Sequence, residues 1–349
     1  MAKKTVAVIF GGCSPEYDVS LVSGYAIINA IDRAKYDVVT LGITRQGQWY
    51  RYFGSVEDIP GDKWHIDGQY LKSAAISPSR GAGLIQFVDS IAEPVHVDAV
   101  FPVLHGKNGE DGTVQGLCEL AGLPVVGSGC AASALCMDKD RAHKLVSASG
   151  ISVPRSVCLE YALPDDEILP AAIGLKLPLF VKPVKTGSSF GISKVESYDD
   201  LTGAVRMALE YDDAVIIEEG VDGFEVGCAI IGNKELQAGR IDEIELAGGF
   251  FDYEEKYTLK TAKIHMPARI DAETERRLQD AAKDVYRILG CRGYARVDLF
   301  LTKDREIVFN EVNTIPGFTP HSRFPNMLKG VGIDYSQLVD KLIQLTVDS

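Results

Sequence analysis

The sequence predicts an α/β and α+β fold that opens with a parallel α/β sheet, and three features point to it. Strand-like and helical runs alternate through the first third, in TVAVIFGG (5–12), VSLVSGYAIINAI (19–31), YDVVTLGI (36–43), VDAVFPVLHG (97–106) and GTVQGLCELAG (112–122). Such alternation favours parallel strands with helices on the sheet faces. Further on, strands pair around polar loops in LPLFVKPVKTGSSFGISKV (177–195) and AVIIEEGVDGFEVGCAIIG (214–232), and YARVDLFLTKDREIVFNEVNT (294–314) reads as a hairpin.

The 349 residues are 46% hydrophobic and 24% charged, with a formal net charge of −13. That length suggests two or three domains of ordinary globular composition. The acidic balance argues against duplex nucleic-acid binding, where cationic contacts carry much of the affinity. The opening MAKKTVAVIFGG reads as a first strand entering a loop, not as a signal peptide or membrane span. Seven scattered cysteines without a CxxC pair predict reduced thiols and no zinc or disulfide framework.

Each element has its signal. Gly122 closes the helix at 112–122, Gly150 closes CMDKDRAHKLVSASG (136–150), and Gly290 closes DAETERRLQDAAKDVYRILG (271–290), where Leu278, Ala281, Ala282, Val285, Ile288 and Leu289 recur at helical spacing. Gln46 to Gly83 shows no regular pattern. The expected units are an N-terminal α/β domain over 1–125, a central α+β unit over 126–216 and a C-terminal unit over 217–349.

The hairpin carries the strongest chemical signal. With period 2, Ala295, Val297, Leu299 and Leu301 share one face, and Arg296 and Asp298 the other. A turn centred between Asp304 and Arg305 sets Asp298 opposite Glu311, with Asn313 on the same face. Facing carboxylates repel and lose hydration, a cost that Mg²⁺ relieves, being a hard ion completed by water and phosphate oxygens. The alternative is a wet sheet face with Arg296 paired to Asp298.

Groups suited to phosphate lie upstream. Lys182 and Lys185 bracket the beginning of KPVKTGSSFG, whose Gly187, Ser188, Ser189 and Gly191 offer backbone N–H groups, although the loop is not the GxxxxGK[ST] pattern. Lys139 offers another cation. Glu218, Glu219 and Val221 end a strand, followed by Glu225, and carboxylates there suit an adenine amine or ribose hydroxyls. LHGKNGEDG (104–112) brings His105 to the C-terminal end of a parallel strand, where open α/β sheets bind ligands, and FGGCSPEYDVS (10–20) brings Glu16 to the same edge. A nicotinamide dehydrogenase fits poorly, since FGGCSPE is not GxGxxG; a non-catalytic nucleotide-binding regulator is the other class considered.

In order and local spacing, FGGCSPEYDVS, LHGKNGEDGT, FVKPVKTGSSFGISKV, EEKY and GYARVDLFL…NEVNTIPGFTPHSRFP resemble the D-alanine–D-alanine ligase family of ATP-grasp enzymes across nearly the whole chain. The resemblance implies a three-domain ATP-grasp fold and ATP-dependent joining of two D-amino acids for peptidoglycan, through an acyl phosphate. Asp298, Glu311 and Asn313 then look like ligands of two Mg²⁺ ions, or Mn²⁺, and Lys139, Lys182 and Ser189 like phosphate contacts. Glu218, Glu219 and Val221 resemble the adenine linker and Glu225 the ribose ligand. Glu16 resembles the holder of the first substrate's ammonium with His105 beside it, and Glu16, Ser188 and Tyr257 the set that locks a loop over the site. Arg296 and the Gly317 N–H resemble the oxyanion-stabilising pair, while Lys256 and Ser322 look like contacts to phosphate or the second substrate's carboxylate.

Arg323 departs from the apolar residue common after the serine of HS in ligases that make D-alanyl-D-alanine. An arginine there suits a hydroxyl, and so D-serine, as second substrate. The chain thus resembles D-alanine–D-serine ligases of the VanG vancomycin-resistance type. Tyr257, in place of a histidine, argues against D-lactate. The resemblance further implies a cytoplasmic homodimer.

Overall fold

The computed structural model describes residues 2–187, 190–246 and 262–348. Three sheets organise the described residues. The first holds β1 (Lys4–Gly11), β2 (Tyr36–Ile43), β3 (Trp49–Tyr52), β4 (Leu71–Ile76), β5 (Leu84–Val88), β6 (Ile91–Val95) and β7 (Ala99–Pro102), in the order β6-β5-β4-β3-β2-β1-β7. Only β1 with β2 and β1 with β7 pair in parallel; the others add antiparallel strands. The open parallel sheet expected from the sequence is thus the centre of a mixed one. The stretch from 46 to 83 supplies part of the extension, and its half-exposed strands lack a clean apolar alternation.

β1 is buried on both faces. Val6, Val8 and Phe10 pack with α1 (Tyr17–Ala30), and Ala7 and Ile9 pack with α2 (Thr113–Ala121), giving the continuous apolar run of a central parallel strand. Where one helix was expected over 136–150, there are two, α3 (Cys130–Met137) and α4 (Lys139–Ala148). Asp138 separates them in an extended conformation, and its carboxylate accepts the Arg141 N–H as the cap of α4.

The second sheet, in the order β10-β9-β11-β8, comprises β8 (Ser156–Leu159), β9 (Leu179–Pro183), β10 (Ser193–Val195) and β11 (Val215–Glu219). α5 (Asp165–Ala172) and α6 (Leu201–Ala208) cover one face, leaving the other toward the third sheet. That sheet is β14-β13-β12-β15-β16, built from β12 (Gly223–Ile231), β13 (Gln237–Leu246), β14 (Ala262–His265), β15 (Tyr294–Thr302) and β16 (Ile307–Asn313). On one side of it α7 (Ala272–Ile288) packs Leu278, Ala282 and Val285 against Ala295, Val297, Leu299 and Leu301. The chain ends with α8 (Arg323–Lys329) and α9 (Tyr335–Val347), whose Phe324, Met327, Leu338 and Leu342 return to the core beneath β1. Among the described residues no helix is long and apolar enough to cross a membrane.

Candidate active site

Between the second and third sheets lies a cavity of about 480 Å³, a size suited to a small-molecule ligand. It is lined by ten of the residues singled out in the sequence: Lys139, Lys182, Glu218, Glu219, Val221 and Glu225 from the first part of the set, and Arg296, Asp298, Glu311 and Arg323 from the second. Phe180, Ile192 and Phe300 add apolar wall.

Asp298 and Glu311 are ladder partners, as expected, but the ladder shifts beside them, pairing Leu299 with Phe309 and leaving Asn310 as a bulge. Asn313 turns its amide toward both carboxylates, 2.9 Å from Asp298 Oδ2 and 3.4 Å from Glu311 Oε1. The Arg296 guanidinium donates to both oxygens of Asp298, at 2.7–3.0 Å, so the pairing considered as the alternative to a metal is present. Burial alone would lower the Arg296 pKa, but Asp298 outweighs it and raises it. The set is oxygen-rich and suits a hard divalent ion. Among the described residues no group of three or more His, Cys, Asp or Glu could hold a metal, so two carboxylates and an amide form an incomplete shell, the kind that phosphate oxygens complete.

The cations sit opposite. Lys182 Nζ lies 2.6 Å from Glu218 Oε2, and Lys139 donates to the Thr186 carbonyl at 2.8 Å with Glu311 4.0 Å away. Both lysines are largely buried. Desolvation opposes the charge on Lys182, yet Glu218 raises its pKa; burial opposes the charge on Glu218, yet Lys182 and His143 lower its pKa. Among the described residues Glu218 Oε1 is buried with no hydrogen-bond partner, in ion-pair contact at 3.6 Å with His143 Nδ1, and is an acceptor suited to a ligand amine. Glu219 instead turns its carboxylate to the Lys176 N–H at 3.0 Å and to Arg155.

Arg323 is held in place. Its Nε and Nη2 donate to the two oxygens of Asp242 at 2.7 and 2.8 Å, Nη1 is 3.5 Å from Glu225, and Nη2 is 3.6 Å from Asp298. Asp242, which sequence reasoning missed, is fully buried on β13. A buried arginine signals the need for a carboxylate but not which acid supplies it. Burial and the neighbouring Asp298 push the Glu225 carboxyl up to about 7. Asn310 and His143 were missed as well, because a bulge and a residue behind the cavity wall leave no mark in the alternation.

Of the remaining expected residues, Glu16, His105, Asn313, Gly317 and Ser322 are outside the cavity lining. Glu16 is buried at the N-cap of α1, and the backbones of Gly106 and Gly187 come so near that a Cβ at either would lie 2.7 or 3.3 Å from its Oε2. His105 places Nδ1 2.9 Å from the Ile315 carbonyl and Nε2 3.1 Å from Ser23 Oγ. Ser322 Oγ accepts the Thr319 N–H at 3.0 Å, close to Gly317. Ser188, Ser189, Lys256 and Tyr257 lie outside the described residues.

The D-ala D-ala ligase N-terminus model matches residues 5–128 and the D-ala D-ala ligase C-terminus model residues 145–344. The chain is 44% identical to the vancomycin B-type resistance protein VanB of Enterococcus faecalis, over all of both chains. It is 42% identical to a D-alanine–D-alanine ligase of Caldicellulosiruptor bescii, over all of this chain and 96% of that one. The crystal structure of VanG D-Ala:D-Ser ligase from Enterococcus faecalis superposes with a TM-score of 0.92 at 55% identity, covering 99% of each chain. The chain belongs to the D-alanine–D-alanine ligase family, a class of ATP-dependent enzymes that form peptide bonds, and its three sheets are those of the ATP-grasp fold.

Proposed function

We propose that the protein is a D-alanine–D-serine ligase that supplies peptidoglycan precursors and thereby confers vancomycin resistance. In this reading it is a cytoplasmic homodimer of three-domain chains divided at 1–125, 126–216 and 217–349. The carboxylate of D-alanine takes the γ-phosphoryl of ATP, the amine of D-serine attacks the acyl phosphate, and phosphate leaves.

Lys139 and Lys182 hold phosphates, Glu218 accepts from the adenine amine, and Phe180 and Phe300 wall the base. Asp298, Glu311 and Asn313 would hold two Mg²⁺ ions, which would supply neutralisation of phosphate charge. Glu16 holds the first ammonium with His105 beside it. Arg296 and the Gly317 N–H face the developing oxyanion. Ser188, Ser189, Lys256, Tyr257 and Ser322 keep the loop, phosphate and second-substrate roles that the family resemblance implies.

The D-serine assignment rests on Arg323, a buried guanidinium in the cavity wall fixed by Asp242. Only an N–H beyond the pair held by Asp242 is free to reach a ligand, and such a donor gains from a hydroxyl what a methyl group does not offer. The test is competition among D-serine, D-alanine and D-lactate for the second position. Preference for D-alanine at neutral pH overturns the assignment. That outcome supports the second reading, a housekeeping D-alanine–D-alanine ligase, which is favoured by the satisfaction Arg323 already finds among Asp242, Glu225 and Asp298.

A further inference from the structure

The segment after β16 runs Thr314, Ile315, Pro316, Gly317, Phe318, and the peptides on both sides of Pro316–Gly317 are gripped by side chains from elsewhere in the fold. On the near side, both backbone polar groups of Ile315 are taken by the turn after β7. Its N–H donates to Glu110 Oε1 at 3.1 Å, and its carbonyl faces His105 Nδ1 at 2.9 Å. The carbonyl can only accept, so Nδ1 carries the ring proton. Glu110 is itself anchored, its Oε2 accepting the Gly106 N–H at 2.8 Å.

On the far side, the Tyr335 hydroxyl at the start of α9 donates to the Phe318 carbonyl at 2.6 Å. The Phe318 ring is fully buried among Phe101, Tyr294 and Phe324. Between the two grips, proline has no N–H and fixes its own φ, and it restricts the residue before it. Among the described residues no protein acceptor takes the Gly317 N–H. A backbone donor left open between two anchored peptides is a preorganised one.

We propose that Glu110 and Tyr335 are positioning residues for the ligation, fixing from opposite sides the peptide that presents the Gly317 N–H, with His105 completing the grip on Ile315. The inference rests on the ligase reading above. It ties the first-substrate turn, through Glu110 and His105, to the oxyanion donor. Neither Glu110 nor Tyr335 lines the cavity; in this proposal each acts on the orientation of a donor whose outright removal from such a site costs about 10²–10³ in rate.

The experiment compares Glu110→Gln and Tyr335→Phe with the unaltered full chain. It measures kcat, the KM values for ATP and both D-amino acids, and affinity for a phosphinate dipeptide with ATP, whose tetrahedral phosphorus places an oxygen where the oxyanion develops. A loosened donor is expected to lower kcat and phosphinate affinity together by roughly 10-fold or more, with each KM within about twofold. Unchanged kcat and phosphinate affinity in Tyr335→Phe overturn the proposal, whatever happens to thermal stability, and so does a loss confined to KM for ATP. Tyr335→Phe removes one hydroxyl and decides the matter should Glu110→Gln fail to fold. Failure of the ligase reading looks different: the unaltered chain itself releases no phosphate from ATP with paired D-amino acids.

Discussion

Asp298 and Glu311 stand directly opposite each other across β15 and β16, and the bulge at Asn310 keeps them there. On the turn side of the bulge, the pairs Leu301 with Ile307 and Phe300 with Val308 centre the hairpin on Asp304. Continued without interruption, that register would set Asp298 against Asn310 and turn Glu311 to the opposite face. One extra residue restores the carboxylate pair, a use of β-bulges common beside active sites.

Replacing Glu311 with Gln removes one of two facing negative charges. The metal-free chain is therefore expected to be as stable as the parent or more so, while ligation falls by at least about 100-fold. Calorimetry with and without Mg²⁺ and ADP checks the pair of effects, because the parent should gain stability from the ligands and the variant should not. Undiminished turnover across a magnesium titration would remove Glu311 from the metal set. Asp298→Asn differs in sign for stability, since it strips Arg296 of its carboxylate partner in a buried site.

Arg323→Leu should move competition toward D-alanine, but it also strands Asp242, which is fully buried. Breaking such a pair costs about 3–5 kcal/mol. Arg323→Leu with Asp242→Leu should recover most of that stability and keep the altered selectivity. Chemical denaturation and substrate competition on the two single variants and the double variant close the cycle. Equal selectivity in all four proteins would exclude Arg323 from substrate choice.

Glu225 gives the metal-free chain a distinct pH dependence. Its carboxyl is pushed from an ordinary value of 4.5 to about 7, by burial first and Asp298 second, so the folded state holds the proton more tightly than the unfolded chain. Its contribution to stability is full below 4.5, falls as the unfolded carboxyl ionises first, and levels above about 7. Denaturant midpoints measured across that window without divalent ions should decline with pH, and Glu225→Gln should flatten the decline. An identical slope in the variant would place the titration elsewhere.

The open acceptor on Glu218 predicts discrimination in the nucleotide. A purine with an amine at position 6 satisfies Oε1, whereas a 6-oxo purine sets oxygen against oxygen, a difference of about 1–3 kcal/mol. Binding of ADP and inosine diphosphate, compared by calorimetry, should differ by roughly tenfold or more in favour of ADP. Parity between the two would assign Glu218 a purely structural role beside Lys182.

The hairpin was legible because strand alternation is strict: Ala295, Val297, Leu299 and Leu301 are buried against α7, and Arg296 and Asp298 enter the cavity. Its register was right through two departures that cancel, a turn centred one half-step earlier and a bulge that makes up the difference. Nothing in the sequence marks Glu16, Lys139 and Glu218 off from solvated charged residues, yet all three are buried, a property set by neighbours distant in sequence. Asp242 could not be singled out from GRIDEIEL, since which of its acids faces inward depends on where β13 meets α8. The antiparallel extension of the first sheet escaped notice for the opposite reason: β3 and β4 are only half buried, and their sequences carry little constraint.

The clasp between Arg323 and Asp242 also bears on ancestry. On the D-serine reading, a lineage exchanging one second substrate for the other by losing either member alone passes through a chain with an orphaned buried charge, a step that folding opposes. Interconversion of the two specificities therefore favours paired substitutions at positions 81 residues apart, or prior mutations elsewhere that raise the tolerance for a weakened intermediate.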